Sequence, residues 1–467
     1  VASIAVLPLV DLSGGQRDPD FADGMTDELI THLAQIRALR VISPASTARY
    51  KNTRKSLKQI GDELNVRSIV SASVFRSGSH VRLNVQLADA RTEQTLWANR
   101  YEGPMQDVVT LQNELARSIA EQIAVSMTPA EQRRLSRSIP IDPEVYDAYT
   151  KGRVFLAKET GEGLSRAMSY FQDAIDRDPT YAKAYAGLAD AYNAMTFYGM
   201  LIPSDGCPRA RQAALEAIRL DPELGEAHVP LAYVYSQYDW DWSRAEAEYR
   251  RALDLNPNFD GAHEFYAEHL AAQGRIDEAI AQVKKRVEID PVSWEAHEEY
   301  GWILYLGHRY GAAVAEYKNA LDLAPDSVST LEGLADVYAA AGRNDEAVAA
   351  YDAWAAAAGI SGESRTKLTR AYAQLGMRGY WAERLKMEQA ETAETGDVWP
   401  FRMATYYALL GDRDNAFSWL DKAFQERSSR MTLLNVNPIF DGLRSDARFQ
   451  ALLAKVGLTH GVAGYKS

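Results

Sequence analysis

Three histidines, His228, His263 and His297, recur at intervals of 35 and 34 residues. Imidazole is a common metal ligand, so a periodic set raises the question of a shared ion. A zinc site needs ring nitrogens converging within ~2.1 Å of the metal. Equivalent positions in stacked helical repeats lie roughly 10 Å apart. Three such rings cannot meet, and the expectation is a large ring packed between helices. Cys207 is the one cysteine. It cannot form an internal disulfide or a thiolate cluster, and no base with an orienting group is legible beside it. Arg49, Lys51, Arg54, Lys55 and Lys58 place five bases within ten residues around Tyr50. They could meet an anionic partner, but residues 1–130 carry no net charge, so a solvated loop leading into a helix is expected. Tyr235, Tyr238, Trp240 and Trp242 could stack on a ligand; packing inside a repeat turn is the first reading.

Motifs for catalysis are missing. Gly14-Gly15 is not followed by the Lys of a phosphate loop, and neither His-Glu-x-x-His nor Gly-x-Ser-x-Gly occurs. The kinase elements Asp-Phe-Gly and His-Arg-Asp are also missing. The expectation is a protein that is not an enzyme and holds no cofactor or metal.

These residues sit in a chain of 467 with 46% apolar and 25% charged residues, an ordinary globular composition. No run approaches the ~20 apolar residues of a membrane helix. The net charge of −13 is uneven: residues 1–130 are neutral, 131–140 carry +2, and 141–467 carry −15. Such a surface repels phosphate backbones, so nucleic acid is not an expected partner. The chain begins at Val1 without a charged segment leading into an apolar one, which reads as a piece excised from something longer.

A period of about 34 residues organises the C-terminal part. Pro179, Pro222, Pro257, Pro291 and Pro325 are spaced by 43, 35, 34 and 34; Gly274, Gly307, Gly342, Gly376 and Gly411 by 33, 35, 34 and 35. This is the period of a tetratricopeptide repeat, a helix–turn–helix unit in which Gly ends the first helix and Pro stops the second. Small residues recur where paired helices must approach: Ala189, Ala232, Ala267, Gly301, Ala335 and Ala404 in the first helix, Ala167, Ala245, Ala279, Ala313, Ala347 and Ala416 in the second. Tyr149, Gly152 and Phe155 open the series. The unit at 366–396 is degenerate. The long first spacing places about nine extra residues at Phe197–Arg209, read as a surface loop at the turn within one repeat.

Residues before the repeats have another pattern. Ile4–Leu9 is a buried strand, Asp23–Ile36 an amphipathic helix and Leu39–Ser43 a second strand. Ser56 and Gln59 form a capping box opening a helix to Leu64. Ser68–Phe75, Val81–Asp89 and Thr95–Glu102 are strands joined by tight turns, and Val108–Met127 is a long helix. The predicted organisation is α+β: a small α/β domain of order β-α-β-α-β-β-β-α over 1–128, a linker at 129–141, an all-α right-handed superhelix of about seven helix pairs over 142–436, and a capping segment and tail at 437–467.

The strings SIAVLPLVDLSGG, FADGMTDELITHLAQI and VRLNVQLADARTEQTLWANRYEG resemble the TolB amino-terminal-like domain. YDWDWSRAEAEYRRALDLNP at 238–257, GDRDNAFSWLDKAFQERS at 411–428 and NPIFDGLRSDARFQALLAKVGL at 437–458 continue the likeness into tetratricopeptide arrays joined to that domain. The resemblance implies the sensory or scaffold region of a bacterial signalling protein. In such proteins an N-terminal winged-helix DNA-binding domain, a class III adenylate cyclase domain or a Ser/Thr kinase domain supplies the output. The leading expectation is a transcriptional regulator; the alternatives are the regulatory region of a cyclase or kinase, or a stand-alone periplasmic scaffold. The compartment expected is the cytoplasm, or the periplasm if a membrane helix precedes Val1, and homo-oligomerisation is left open.

The helix faces expected to line the concave groove carry Asp190, Asn193, Glu226, Tyr233, Gln237, Glu264, Glu268, Glu295, Glu298, Trp302, Tyr305, Glu332 and Asp336, with Lys183 as the only base. That set predicts a basic or aromatic-bearing protein or peptide partner, anchored on Tyr233, Trp302 and Tyr305 and steered by the carboxylates.

Overall fold

A computed structural model describes residues 2–13, 19–137, 140–396 and 398–458. The chain forms two compact units: Val1–Val234 with Arg244–His263 and Lys285–Val292, and Tyr235–Ser243 with Glu264–Lys284 and Ser293–Ser467. The α/β domain and the first repeats therefore share one unit.

A mixed six-stranded sheet is built from β1 (Ala2–Val6), β2 (Val10–Asp11), β3 (Leu39–Val41), β4 (Ser68–Ser77), β5 (His80–Asp89) and β6 (Thr95–Pro104), in the order β3-β1-β4-β5-β6 with β2 on β4. β1 is parallel to both β3 and β4, and β4, β5 and β6 form an antiparallel meander. The run Ile4-Ala5-Val6 has no solvent exposure, as a central parallel strand covered on both faces requires. In β4 and β5 burial alternates, so that end of the sheet has one covered face and one open one.

Helix α1 (Pro19–Ala34) begins four residues earlier than the apolar spacing indicates. A short helix, α2 (Pro44–Ala48), follows β3, and α3 (Leu57–Glu63) carries the expected Ser56/Gln59 capping box. After β6, α4 (Val108–Gln122) stops short of Met127, and Ala124 turns left-handed. The expected linker contains a helix, α5 (Pro129–Arg134). Its signal is Thr128-Pro129-Ala130-Glu131: Thr128 and Glu131 form a second capping box, with Pro in the first turn.

An all-helical array of tetratricopeptide type follows. Among the described residues it has eight helical pairs: α6 (Pro143–Leu156) with α7 (Gly161–Arg177), α8 (Ala182–Phe197) with α9 (Pro203–Leu220), α10 (Gly225–Val234) with α11 (Trp242–Leu255), α12 (Asp260–Ala272) with α13 (Ile276–Ile289), α14 (Trp294–Leu306) with α15 (Tyr310–Leu323), α16 (Val328–Ala340) with α17 (Asn344–Ala357), the two segments of α18 (Gly362–Thr395), and α19 (Pro400–Leu410) with α20 (Arg413–Gln425). The small slots work as their spacing suggests. The Phe171 ring of α7 lies between Gly152 and Gly187, where a Cβ would stand 2.5 Å from it. A 3-10 turn at Pro438–Leu443 and α21 (Ala447–Val456) close the end, with Phe440 and Phe449 in a core shared with Phe417 and Leu420.

Two turns depart from the pattern. At Gly307 the left-handed position passes to His308 (φ 56), and Gly307 is small because a Cβ would meet Ile276 at 2.6 Å. In the degenerate unit, α18 runs through Gly376, whose φ 61 and ψ −154 break one long helix into two segments. Trp381 stands five residues after Gly376, where Ala347 stands after Gly342, so a large ring replaces the small contact.

Candidate partner-binding faces

In the first unit α1 of the α/β domain covers the face of α6 that carries Tyr146 and Thr150. Gly24 permits the approach: a Cβ there would lie 2.5 Å from Thr150 Cβ. Phe21 packs edge-on against Tyr146, with ring centroids 6.2 Å apart, and Arg76 pairs with Asp147 at 2.7 Å. Glu28, 4% exposed at its side chain, is the centre of the contact. It accepts a hydrogen bond from the Tyr149 hydroxyl at 3.0 Å and pairs with the Lys183 ammonium, while His32 Nε2 lies 3.7 Å away. His32 Nδ1 in turn lies 2.5 Å from Asn113 Oδ1. Burial acts to raise the Glu28 pKa, but the charge of Lys183 and the nearby His32 ring outweigh it and hold the carboxyl well below its ordinary value.

Arg153 follows Gly152 as Asp190 follows Ala189 and Tyr233 follows Ala232, so it occupies the groove register of the first repeat. Burial pushes Asp27 and Asp190 up to about 7 each, against the opposing pull of Arg153. Lys183 is therefore not the only base in this face. The register of Gly152 pointed to Arg153 in the sequence. Of the predicted residues here, Asn193 is buried and donates from Nδ2 to the Pro230 carbonyl at 3.0 Å, and Glu226 and Tyr233 are buried too. Tyr233, 7% exposed, is part of the wall rather than an anchor open to a ligand.

In the second unit the predicted residues divide. Gln237 falls in a π turn at Tyr235–Asp239, and its Oε1 accepts from Thr432 Oγ1 at 3.3 Å, a tie to the C-terminal segment. Glu264, Glu268, Glu298 and Trp302 are half-buried, and Glu295 is exposed. Tyr305 is 5% exposed, so of the three expected anchors Trp302 alone presents surface. Glu298 accepts from Ser329 at 2.9 Å and also from Thr330. Glu332 and Asp336 face a base that sequence spacing missed: Arg384, 4.0 Å from Glu332, donates to the Tyr406 hydroxyl at 2.9 Å and lies 4.1 Å over the Trp354 ring. Arg384 belongs to the degenerate unit, where Trp381 in the small slot hides the register.

Burial and the nearby Glu332 push Asp336 up to about 7, although the Tyr351 hydroxyl donates to it and Arg384 opposes the shift. The folded state then binds a proton that the unfolded state has lost between about pH 4 and 7, so this group adds stability as pH falls through 7. Asp336→Asn keeps an acceptor for Tyr351 and removes the titration. The expected result is a smaller gain in melting temperature between about pH 8 and about pH 5 than in the wild type, read by circular dichroism.

The other candidates are absorbed by packing. His228 and His297 lie 2.5 and 2.8 Å from Glu248 and Glu316 of their own repeats, and His263 Nε2 lies 3.1 Å from the Pro257 carbonyl. Cys207 is buried in α9. Lys51 pairs with Asp23 and Lys55 with Glu63, each at 2.7 Å, and Arg49 donates to the Val292 carbonyl at 3.2 Å. Trp240 packs against Phe424 with ring centroids 5.3 Å apart and Trp242 Nε1 donates to the Val456 carbonyl at 2.9 Å, so both tryptophans of that cluster are structural. The insertion lengthens α9 and leaves Phe197, Tyr198, Met200 and Ile202 exposed at the turn. No described helix is long and apolar enough to cross a membrane.

The tetratricopeptide repeat family matches residues 241–297 and 304–359. The chain is 32% identical over 255 residues to the protein of Rhizobium meliloti (strain 1021) named "Putative adenylate cyclase 3", a match covering 53% of this chain and 42% of that protein. The chain thus spans less than half the length of this relative. Solved structures that the chain matches in part include YrrB, titled a TPR protein with an unusual peptide-binding site, at 24% identity and a TM-score of 0.29, covering 40% of this chain and 89% of YrrB. TTC0263, a thermophilic TPR protein of Thermus thermophilus, is 17% identical with a TM-score of 0.35, covering 42% of this chain and 99% of that protein.

Proposed function

We propose that the chain is a partner-binding regulatory region of a bacterial signalling protein, and that its ligand is a basic or aromatic-bearing peptide segment. The observation that carries this reading is the acidic series on the first helices of the second unit, Glu264, Glu268, Glu295 and Glu298, beside the surface of Trp302. Carboxylates at the edge of such a face speed the encounter with a basic segment, and a large ring supplies the contact that holds it. In the first unit the corresponding face takes α1 of the same chain, so that part is a structural joint. Binding of the purified chain to a peptide array tests the reading. Basic, aromatic-containing peptides are expected to be retained and acidic ones not; the opposite preference overturns it.

The TolB-like assignment of residues 1–128 rests on the sequence resemblance and is part of this proposal. Among the outputs that the resemblance implies, a class III cyclase is favoured by the relative named for adenylate cyclase. A winged-helix regulator has no comparable support. The coding sequence upstream of Val1 distinguishes the two: paired metal-binding aspartates of a cyclase against a DNA-recognition helix.

A further inference from the structure

β6 ends the sheet order with β5 on one side. Among the described residues, no strand and no backbone hydrogen bond meets its other side. Thr95, Leu96, Ala98, Asn99, Arg100 and Glu102 are exposed, Leu96 by 53%. Folded proteins blunt long edges with lysines, prolines or bulges. β6 has no lysine, its two charges, Arg100 and Glu102, are of opposite sign, its proline is the last residue, and the bulge against β5 is confined to Leu87/Ala88 near its start.

The ladder fixes which groups point outward. Met105 N bonds to Ser79 O at 2.7 Å, and the register continues as Val81↔Gly103, Leu83↔Tyr101 and Val85↔Asn99. Bonded pairs in an antiparallel ladder recur every two residues. Gly103, Tyr101 and Asn99 therefore bond toward β5, and the N–H and C=O groups of Ala98, Arg100 and Glu102 face the open edge.

We propose that this edge joins two copies of the chain, β6 against β6, antiparallel about a two-fold axis at Tyr101. An isologous contact must be complementary to itself, and this strand is. The two-fold places Arg100 opposite Glu102 of the second copy, twice, with all four side chains on the open face of the sheet. Within one copy Glu102 already receives Arg82 at 2.9 Å, and Arg100 Nε donates to Asn84 at 3.3 Å. The joined sheet carries the row Arg82, Glu102, Arg100 of the second copy and Asn84 of the second copy, so each Glu102 stands between two guanidinium groups. This inference is independent of the peptide-binding reading.

Sedimentation velocity and native mass spectrometry on the whole chain test it. The wild type is expected to form a reversible dimer. Arg100→Glu and Glu102→Arg each set like charges opposite at two symmetric positions and are expected to weaken it by roughly tenfold or more. Mixed together, the two variants regain complementary charges and form a heterodimer near wild-type affinity. Ala98→Pro removes an outward N–H without touching the β5 ladder and is expected to weaken the dimer as well; it serves where Glu102→Arg fails to keep its melting transition. A monomeric wild type at every concentration, a dimer indifferent to Arg100→Glu and Ala98→Pro, or folded charge variants that do not pair on mixing would each overturn the proposal.

Discussion

Glu28→Gln is expected to lower the unfolding free energy by about 3 kcal/mol in urea denaturation near neutral pH. The substitution keeps the size of the side chain and an acceptor for the Tyr149 hydroxyl. What it removes is the counter-charge of Lys183, which sits against Glu28 with its side chain 22% exposed. Breaking a buried pair costs several kcal/mol because the remaining charge stays desolvated; the partial exposure of Lys183 sets the low end of that range. The double variant Glu28→Gln, Lys183→Met removes the orphaned charge and is expected to recover part of the loss. The pH dependence has a definite sign. Glu28 titrates below its ordinary value in the fold, so its contribution is present above about pH 4.5 and is lost as pH falls further. The acid-side decline in stability should therefore be shallower in Glu28→Gln than in the wild type.

Trp302→Ala is expected to weaken binding of a basic, aromatic-containing peptide by about 30-fold, the equivalent of ~2 kcal/mol. Trp302 lies one helical turn after Glu298 on α14, so a ring and a carboxylate share one face. Tyr305→Phe serves as the contrast: its ring is buried in the wall, and removing the hydroxyl should leave affinity within a few-fold. Glu264→Gln and Glu295→Gln should chiefly slow association and flatten the dependence on salt. Fluorescence anisotropy with a labelled peptide measures all four.

Local rules made much of this fold legible. Helix ends announce themselves in a few residues, as the Ser56/Gln59 box does, and the repeat period follows from one Gly and one Pro per unit. Helix α5 was legible by the same rule, through Thr128 and Glu131. What local pattern does not carry is a contact such as Glu28 with Lys183, which joins residues 155 positions apart. The covering of α6 by α1 follows from such pairs and from the close approach at Gly24. Tyr233 and Tyr305 show a second limit: the repeat register predicts an open groove position for each, but both rings are buried, and that of Tyr305 lies 6.2 Å from the Tyr310 ring of the next helix. Arg384 shows a third, because the sequence frame that would align it fails where Trp381 replaces a small residue.

Hydrogen–deuterium exchange of the whole chain, with and without a basic, aromatic-containing peptide, tests the central claim most directly. Protection is expected on α14 and on the Glu264–Ala272 part of α12, with α1 and α6 unchanged because their contact is internal to the chain. Protection confined to α1 and α6, or an equal footprint from an acidic peptide, would contradict it.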